Sequence, residues 1–148
     1  IQMKICIVSS KFNKPVTDNL IAGALKGIRD SGIPENAVEI YQVPGAFEIP
    51  VAIKKLLEKH HDIAGIIALG CLIKGETAHF EYISNPVSKS IMDLSVEYLI
   101  PIGFGILTCY TAEQAFQRSG TEPLNSETNK GYEAAVTTIE MIDLMNRM

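Results

Sequence analysis

The sequence predicts an α/β fold, a three-layer α/β/α arrangement on a doubly wound parallel sheet, and three observations carry that expectation. Apolar runs of strand length alternate with segments of helical period from one end of the chain to the other. Residues 63 to 70 are apolar at almost every position, as a parallel strand covered on both faces requires. No repeat, linker or low-complexity tract interrupts the 148 residues, so a single domain over 1–148 is expected.

Lys4 to Ser9 is rich in β-branched residues and runs into the polar stretch SKFNKP, a strand followed by a loop. Over residues 16 to 31, Leu20, Ile21, Ala24, Leu25 and Ile28 share one helical face before Gly32 and Pro34 stop the helix. Ala37 to Val43 alternates as a strand and ends in the turn Val43-Pro44-Gly45. Residues 46 to 59 read as a helix with Pro50 early in it, where a missing N–H costs least. After the strand at 63 to 70 comes Lys74-Gly75-Glu76-Thr77, and Ile83, Val87, Ile91, Leu94 and Tyr98 then recur at helical spacing. Pro86 must either open that helix behind Asn85 or sit inside a helix begun near His79. Ile102 to Thr108 gives a fourth strand, residues 111 to 118 a short helix, and residues 130 to 146 a last helix. Its buried face is expected to carry Tyr132, Ala135, Val136, Ile139 and Ile142. The order β-α-β-α-β-α-β-α-α makes one four-stranded sheet with helices on both sides.

Composition narrows the function classes. A net charge of −4 and a hydrophobic content of 47% give no electrostatic footprint for nucleic acid. No apolar run is long enough to span a bilayer and no basic-then-apolar leader opens the chain, so a cytoplasmic protein without membrane contact is expected. The chain begins at Ile1 rather than at a methionine, which leaves open whether residues precede it. Cys6, Cys71 and Cys109 stand in apolar strand-like runs without C-x-x-C spacing and read as reduced packing residues. His60 and His61 lack a third ligand nearby and read as a solvated helix end, so no metal is expected.

Ligands of such folds bind outside the carboxyl ends of the strands, which singles out the loops around Phe12, Gly45, Gly75 and Tyr110. The run from Gly70 to Thr77 has the G-x-x-x-x-G spacing of a P-loop, but Glu76 occupies the place of the lysine that would meet the β- and γ-phosphates. That excludes a nucleoside triphosphatase. A single phosphate on the Gly75 and Thr77 amides, with Arg118, Lys74 or Lys130 as cation, competes with an ordinary strand-to-helix turn. His79 follows the loop, and an unperturbed imidazole suits a proton shuttle at neutral pH; the rival reading is a solvated helix-start histidine. Phe12 with Asn13, and Phe47 with Glu48, each pair an aromatic ring with a polar group after a strand. Taken singly either ring reads as core; taken together they suit a flat heterocycle.

The segments SKFN (10 to 13), VPGAFEIP (43 to 50), ALGCLIKGETAHFEYIS (68 to 84), PIGFGILT (101 to 108), EQAFQRSG (113 to 120) and NKGYEAAVTTIEM (129 to 141) together resemble lumazine synthase. The resemblance implies a flavodoxin-like fold and the condensation of 5-amino-6-(D-ribitylamino)uracil with 3,4-dihydroxy-2-butanone 4-phosphate, without metal or organic cofactor. It further implies that Phe12 stacks on the pyrimidine, that Asn13, Ala46, Phe47 and Glu48 hold the ring and ribityl chain with backbone at Leu72 and Ile73, and that Gly75, Glu76 and Thr77 line a phosphate pocket. His79 would transfer protons, while Phe104, Arg118 and Lys130 would reach the site from a neighbouring subunit.

Departures from the family pattern are Lys74 where arginine is common, Glu76 where a small residue is common, Pro86 in the following helix, and a longer turn at Thr121 to Thr128 than in shell-forming members. The last of these favours a homopentamer over an icosahedral 60-mer. Two rival classes stand lower. A non-catalytic carrier of a flavin or lumazine has no need of both His79 and Arg118, and a flavodoxin-type electron carrier requires a Ser/Thr/Gly-rich first loop that SSKFNKPVTDN does not supply.

Overall fold

In the computed structural model, which describes residues 3–75 and 78–148, the four strands β1 (Lys4–Ser10), β2 (Val38–Val43), β3 (Ile63–Ile73) and β4 (Ile102–Cys109) form one parallel sheet in the order β2-β1-β3-β4. The helices are α1 (Lys14–Asp30), α2 (Ile49–Lys59), α3 (His79–Tyr98), α4 (Ala112–Gln117) and α5 (Lys130–Arg147). The architecture is three-layer and flavodoxin-like, with α1, α4 and α5 on one face of the sheet and α2 and α3 on the other.

Alternation along the strands builds both halves of the core. Ile5, Ile7, Ile67, Leu69 and Leu107 meet Leu20 and Ile28 of α1 and Ala135 and Ile142 of α5. Cys6, Val8, Ile66, Ala68 and Ile106 meet Ile49 and Ile53 of α2 and Val87 and Ile91 of α3. The edge strand β2 has no fully buried residue, which explains why it alternates rather than running apolar throughout.

Element boundaries depart from sequence expectation in three informative places. β3 continues past Gly70 to Ile73, paired with β4 as Gly70↔Ile106 through Ile73↔Cys109. The P-loop-like spacing therefore spans strand residues, and Gly70 begins no anion loop. Of the two readings of Pro86, the structure takes the second, with Pro86 inside a helix that begins at His79. The third place is residues 46 to 48, which form a 3-10 turn that leads into α2 rather than its first turn.

α5 approaches α1 unusually closely. A Cβ on Gly131 would lie 2.0 Å from the Leu20 carbonyl oxygen, and one on Gly23 would lie 2.0 Å from Asn129 Oδ1. Asn129 is fully buried and its side chain ties three segments together: Oδ1 caps α5 by accepting from the Tyr132 N–H at 3.1 Å, while Nδ2 donates to Asn19 O and Gly120 O, each at 3.0 Å.

Candidate active site

Strand order reverses between β1 and β3, so the crevice of this sheet opens where the segments after those two strands part. Ser10 ends β1 and the chain turns at once: Lys11 N–H donates to Val43 O at 2.8 Å and Phe12 N–H to Pro44 O at 3.3 Å, which lays the Phe12 segment against the turn after β2. Asn13 then adopts left-handed backbone, φ 61°, which asparagine tolerates better than most residues. Its side chain does not cap α1; Nδ2 reaches across the crevice to Cys71 O of β3 at 3.1 Å. Asn13 thereby pins the loop after β1 to β3.

A cavity of about 760 Å³ opens at this point. The loop after β1 contributes Phe12, the 3-10 turn after β2 contributes Ala46, Phe47 and Glu48, the end of β3 contributes Leu72, Ile73 and Gly75, and the first turn of α3 contributes His79. Phe12 and Phe47 are 67% and 61% exposed, so neither ring is core. Ala46 is buried beneath them. The Glu48 carboxylate folds back towards the turn, with Oε1 3.1 Å from the position a Gly45 Cβ would take. An added Cβ at Gly75 would meet nothing within 4 Å, so the cavity wall is open there. Ala78 supplies no side-chain cap to α3, and the amino end of that 20-residue helix, its positive pole, faces the same space through His79. Glu76 and Thr77, expected in the phosphate pocket, lie outside the described residues.

Sequence reasoning missed part of this wall. Phe80 and Ile83 line it, and their i, i+3 spacing behind His79 was the available signal. Cys71 lines it too, although burial pushes its thiol up to about 11 and keeps it protonated at neutral pH. Cys6, pushed up to about 11 by the same cause, and Cys109 are likewise buried and free. His60 and His61 precede β3 and so sit at the opposite, amino end of the sheet.

Phe104, Arg118 and Lys130 do not join this cavity. They line a second one of about 490 Å³ beside the edge strand β4, floored by Thr108 and Cys109 and walled by residues 126 to 130 and Glu133. Arg118 is the carboxyl cap of α4, and its Nη1 donates to Cys109 Sγ at 3.9 Å. Lys130 opens α5 and pairs with Glu133 at 3.2 Å. Among the described residues, no three His, Cys, Asp or Glu side chains gather as metal ligands would, and no helix is long and apolar enough to cross a membrane.

The crevice position, two exposed aromatic rings, a carboxylate, a histidine at a helix start and a second cavity that carries Arg118 and Lys130 beside Glu127 and Glu133 are the features of an α/β protein with small-molecule cavities at the carboxyl end of its sheet. The chain belongs to the 6,7-dimethyl-8-ribityllumazine synthase family, whose family model matches residues 2–146. It is similar to the 6,7-dimethyl-8-ribityllumazine synthase of Rhodopirellula baltica, 42% identical over 145 residues that cover 98% of this chain and 90% of that protein. It is also similar to the protein of the same name from Syntrophus aciditrophicus, 43% identical over 146 residues that cover 99% and 92% of the two chains.

Proposed function

We propose that this chain is a transferase of riboflavin biosynthesis that condenses 5-amino-6-(D-ribitylamino)uracil with 3,4-dihydroxy-2-butanone 4-phosphate, giving 6,7-dimethyl-8-ribityllumazine, inorganic phosphate and water. Family membership supports the reaction. The observation that carries the site is the convergence of Phe12, Ala46, Phe47, Glu48, Leu72, Ile73, Gly75 and His79 on one cavity from four separate segments.

In this reading the pyrimidine lies against the Phe12 ring, with Asn13, Ala46, Phe47, Glu48 and the strand end at Leu72 and Ile73 holding the ring edge and the ribityl chain. The phosphate of the second substrate sits at the Gly75 loop, Glu76 and Thr77 included, near the amino end of α3. The amine attacks the ketone, phosphate leaves and a second carbon–nitrogen bond closes the ring. His79 moves protons in those steps, and orientation of the two substrates supplies much of the remainder. Neither a metal nor an organic cofactor takes part.

Phosphate departure needs a cation, and among the described residues the wall of the first cavity has no arginine. Arg118 and Lys130, with Phe104 beside them, present that chemistry in the second cavity at another edge of the sheet. We therefore assign each complete site to two chains, the first cavity of one subunit facing the second cavity of the next. Two different surfaces that meet head to tail close into a ring when the rotation between subunits divides a full turn, and the family resemblance implies a homopentamer. We place this single-domain subunit in the cytoplasm, with small-molecule substrates and no nucleic-acid or membrane partner.

Purified protein incubated with both substrates should develop the fluorescence of the lumazine product, and omission of either substrate should abolish it. A preparation of verified ring size that forms no product from the pair would refute the assignment.

A further inference from the structure

Lys74 directly precedes Gly75 of the first cavity without lining the cavity itself, and three observations converge on it. Its N–H donates to Cys109 O at 2.8 Å, extending the β3–β4 pairing one residue past the strand end. Its ammonium lies 3.8 Å from the carboxylate of Glu81, in the first turn of α3 and two residues after His79. The same ammonium stands 5.6 Å from the centroid of the Tyr110 ring, just past the end of β4.

We propose that Lys74 is a positioning residue, which holds the first turn of α3, and His79 with it, against the ends of β3 and β4 through Glu81 and the Tyr110 ring. Covalently, β3 reaches α3 only by way of residues 74 to 78. The Lys74–Glu81 pair adds a second link across that connection, and the Tyr110 ring fixes where the ammonium can sit. Ala78, the N-cap residue of α3, supplies no side-chain cap, and the Lys74–Glu81 pair gives the first turn a link to the strand end that bears on the angle at which His79 enters the cavity. Lys74 was also a candidate cation for the phosphate. Its charge is instead directed at a carboxylate and a π face, and an anion brought to it would meet Glu81.

The inference rests on the proposed condensation, and steady-state kinetics with both substrates separates the two. Lys74→Gln should lower kcat roughly three- to tenfold, in keeping with one exposed ion pair and one cation–π contact, while KM for the butanone phosphate and inhibition by inorganic phosphate stay near wild type. Glu81→Gln and Tyr110→Leu should lower kcat in the same direction. Lys74→Arg, which keeps both the charge and the capacity to stack, should restore most of it. The double variant Lys74→Gln/Glu81→Gln should be no slower than the slower single variant. A Lys74→Gln enzyme with unchanged kcat, a raised KM for the phosphorylated substrate and weaker inhibition by phosphate would overturn the proposal and make Lys74 a phosphate ligand. Unchanged kinetics in all three single variants would overturn it as well. Failure of wild-type protein to form product would instead strike the reading of the activity, and this inference with it.

Discussion

In the proposed site His79 and Arg118 would carry different burdens, and their variants should fail differently. A positioned acid/base group contributes ~10²–10⁴-fold, while holding two substrates in a reactive pose can contribute more. His79→Ala should therefore lower kcat within or below that range with a smaller change in KM, and wild-type turnover in that variant would remove His79 from the chemistry. In the proposed site Arg118 would offer a planar fork to phosphate oxygens, so Arg118→Lys should raise KM for the butanone phosphate more than it weakens pyrimidine binding, as titration with each substrate would show. Much of the first cavity was legible only from residues taken together: Phe12 or Phe47 alone reads as core, whereas two aromatic–polar pairs, each after a strand and beside a polar loop, suit a flat ligand. The bridge from Asn13 to Cys71 O was not legible. It depends on β1 and β3 being neighbours, which local sequence does not state. Nor could spacing alone show that Phe104, Arg118 and Lys130 gather at a different edge from His79; the crossovers decide that, and only the family resemblance pointed to it.

At the scale of elements, the α1–α5 contact is the least forgiving part of the fold. Asn129 caps α5 and satisfies two carbonyls in a fully buried position, so Asn129→Ala removes a cap worth about 1 kcal/mol and strands buried acceptors at about 1–3 kcal/mol. Urea midpoints at fixed protein concentration should fall accordingly with little change in slope. The edge strand β2 is pinned by a second device. Glu39 lies 2.6 Å from Lys4, and the hydrogen bond from Lys4, followed by that from the Tyr41 hydroxyl, holds its carboxyl below the usual carboxylate range. A depressed carboxylate stabilises the fold above its unfolded pKa, and that stabilisation disappears as pH falls through the folded value. Glu39→Gln should thus lower Tm at neutral pH, with the gap to wild type closing as the solution is made more acidic than Glu39's own folded pKa. A constant gap across that range would detach the effect from the ion pair. Helical and strand periods were legible here to within a few residues. The exceptions have physical reasons: Gly70 does not end β3 because β4 pairs with it and Ser10 fills the space beside it, and Ala134 and Thr138 were missed on α5 because small residues leave little periodic signal. They are buried because α5 packs so close that a Cβ on Gly103 would lie 2.1 Å from Thr138 Oγ1.

The whole molecule is set by which surfaces remain once the chain has folded. Phe12 and Phe47 at one cavity and Phe104 at the other are exposed in the single subunit, and the cationic groups are separated from the proposed proton-transfer residue. If a complete site draws on two chains, subunits of His79→Ala and Arg118→Ala, mixed, dissociated and reassembled, should regain part of the activity that each lacks alone. No recovery from verified mixed rings would put both residues in one chain's site. By the family resemblance, assembly beyond the ring would depend on the turn before α5, whose first part, residues 121 to 125, lies outside the lining of the second cavity. Here that turn is a self-contained knot rather than a slack insertion. Its base is closed by the Ser119–Asn129 bridge and by Gly120 N–H donating to Thr128 O at 2.8 Å. Within it, Asn125 Oδ1 accepts from the Glu127 and Thr128 N–H groups at 2.9 and 3.2 Å, and the Thr128 hydroxyl donates to Pro123 O. A loop held by its own hydrogen bonds cannot fold aside cheaply, and Thr121, Glu122 and Pro123 stand exposed on it outside the second cavity. Pressed between pentamers it would hold them apart, and a misfit at one contact recurs at every copy of a symmetric shell. The expected solution species is the free pentamer. Light scattering at micromolar protein should report a single particle of about five chain masses, whereas a megadalton particle would show that the shell contact accommodates the turn after all.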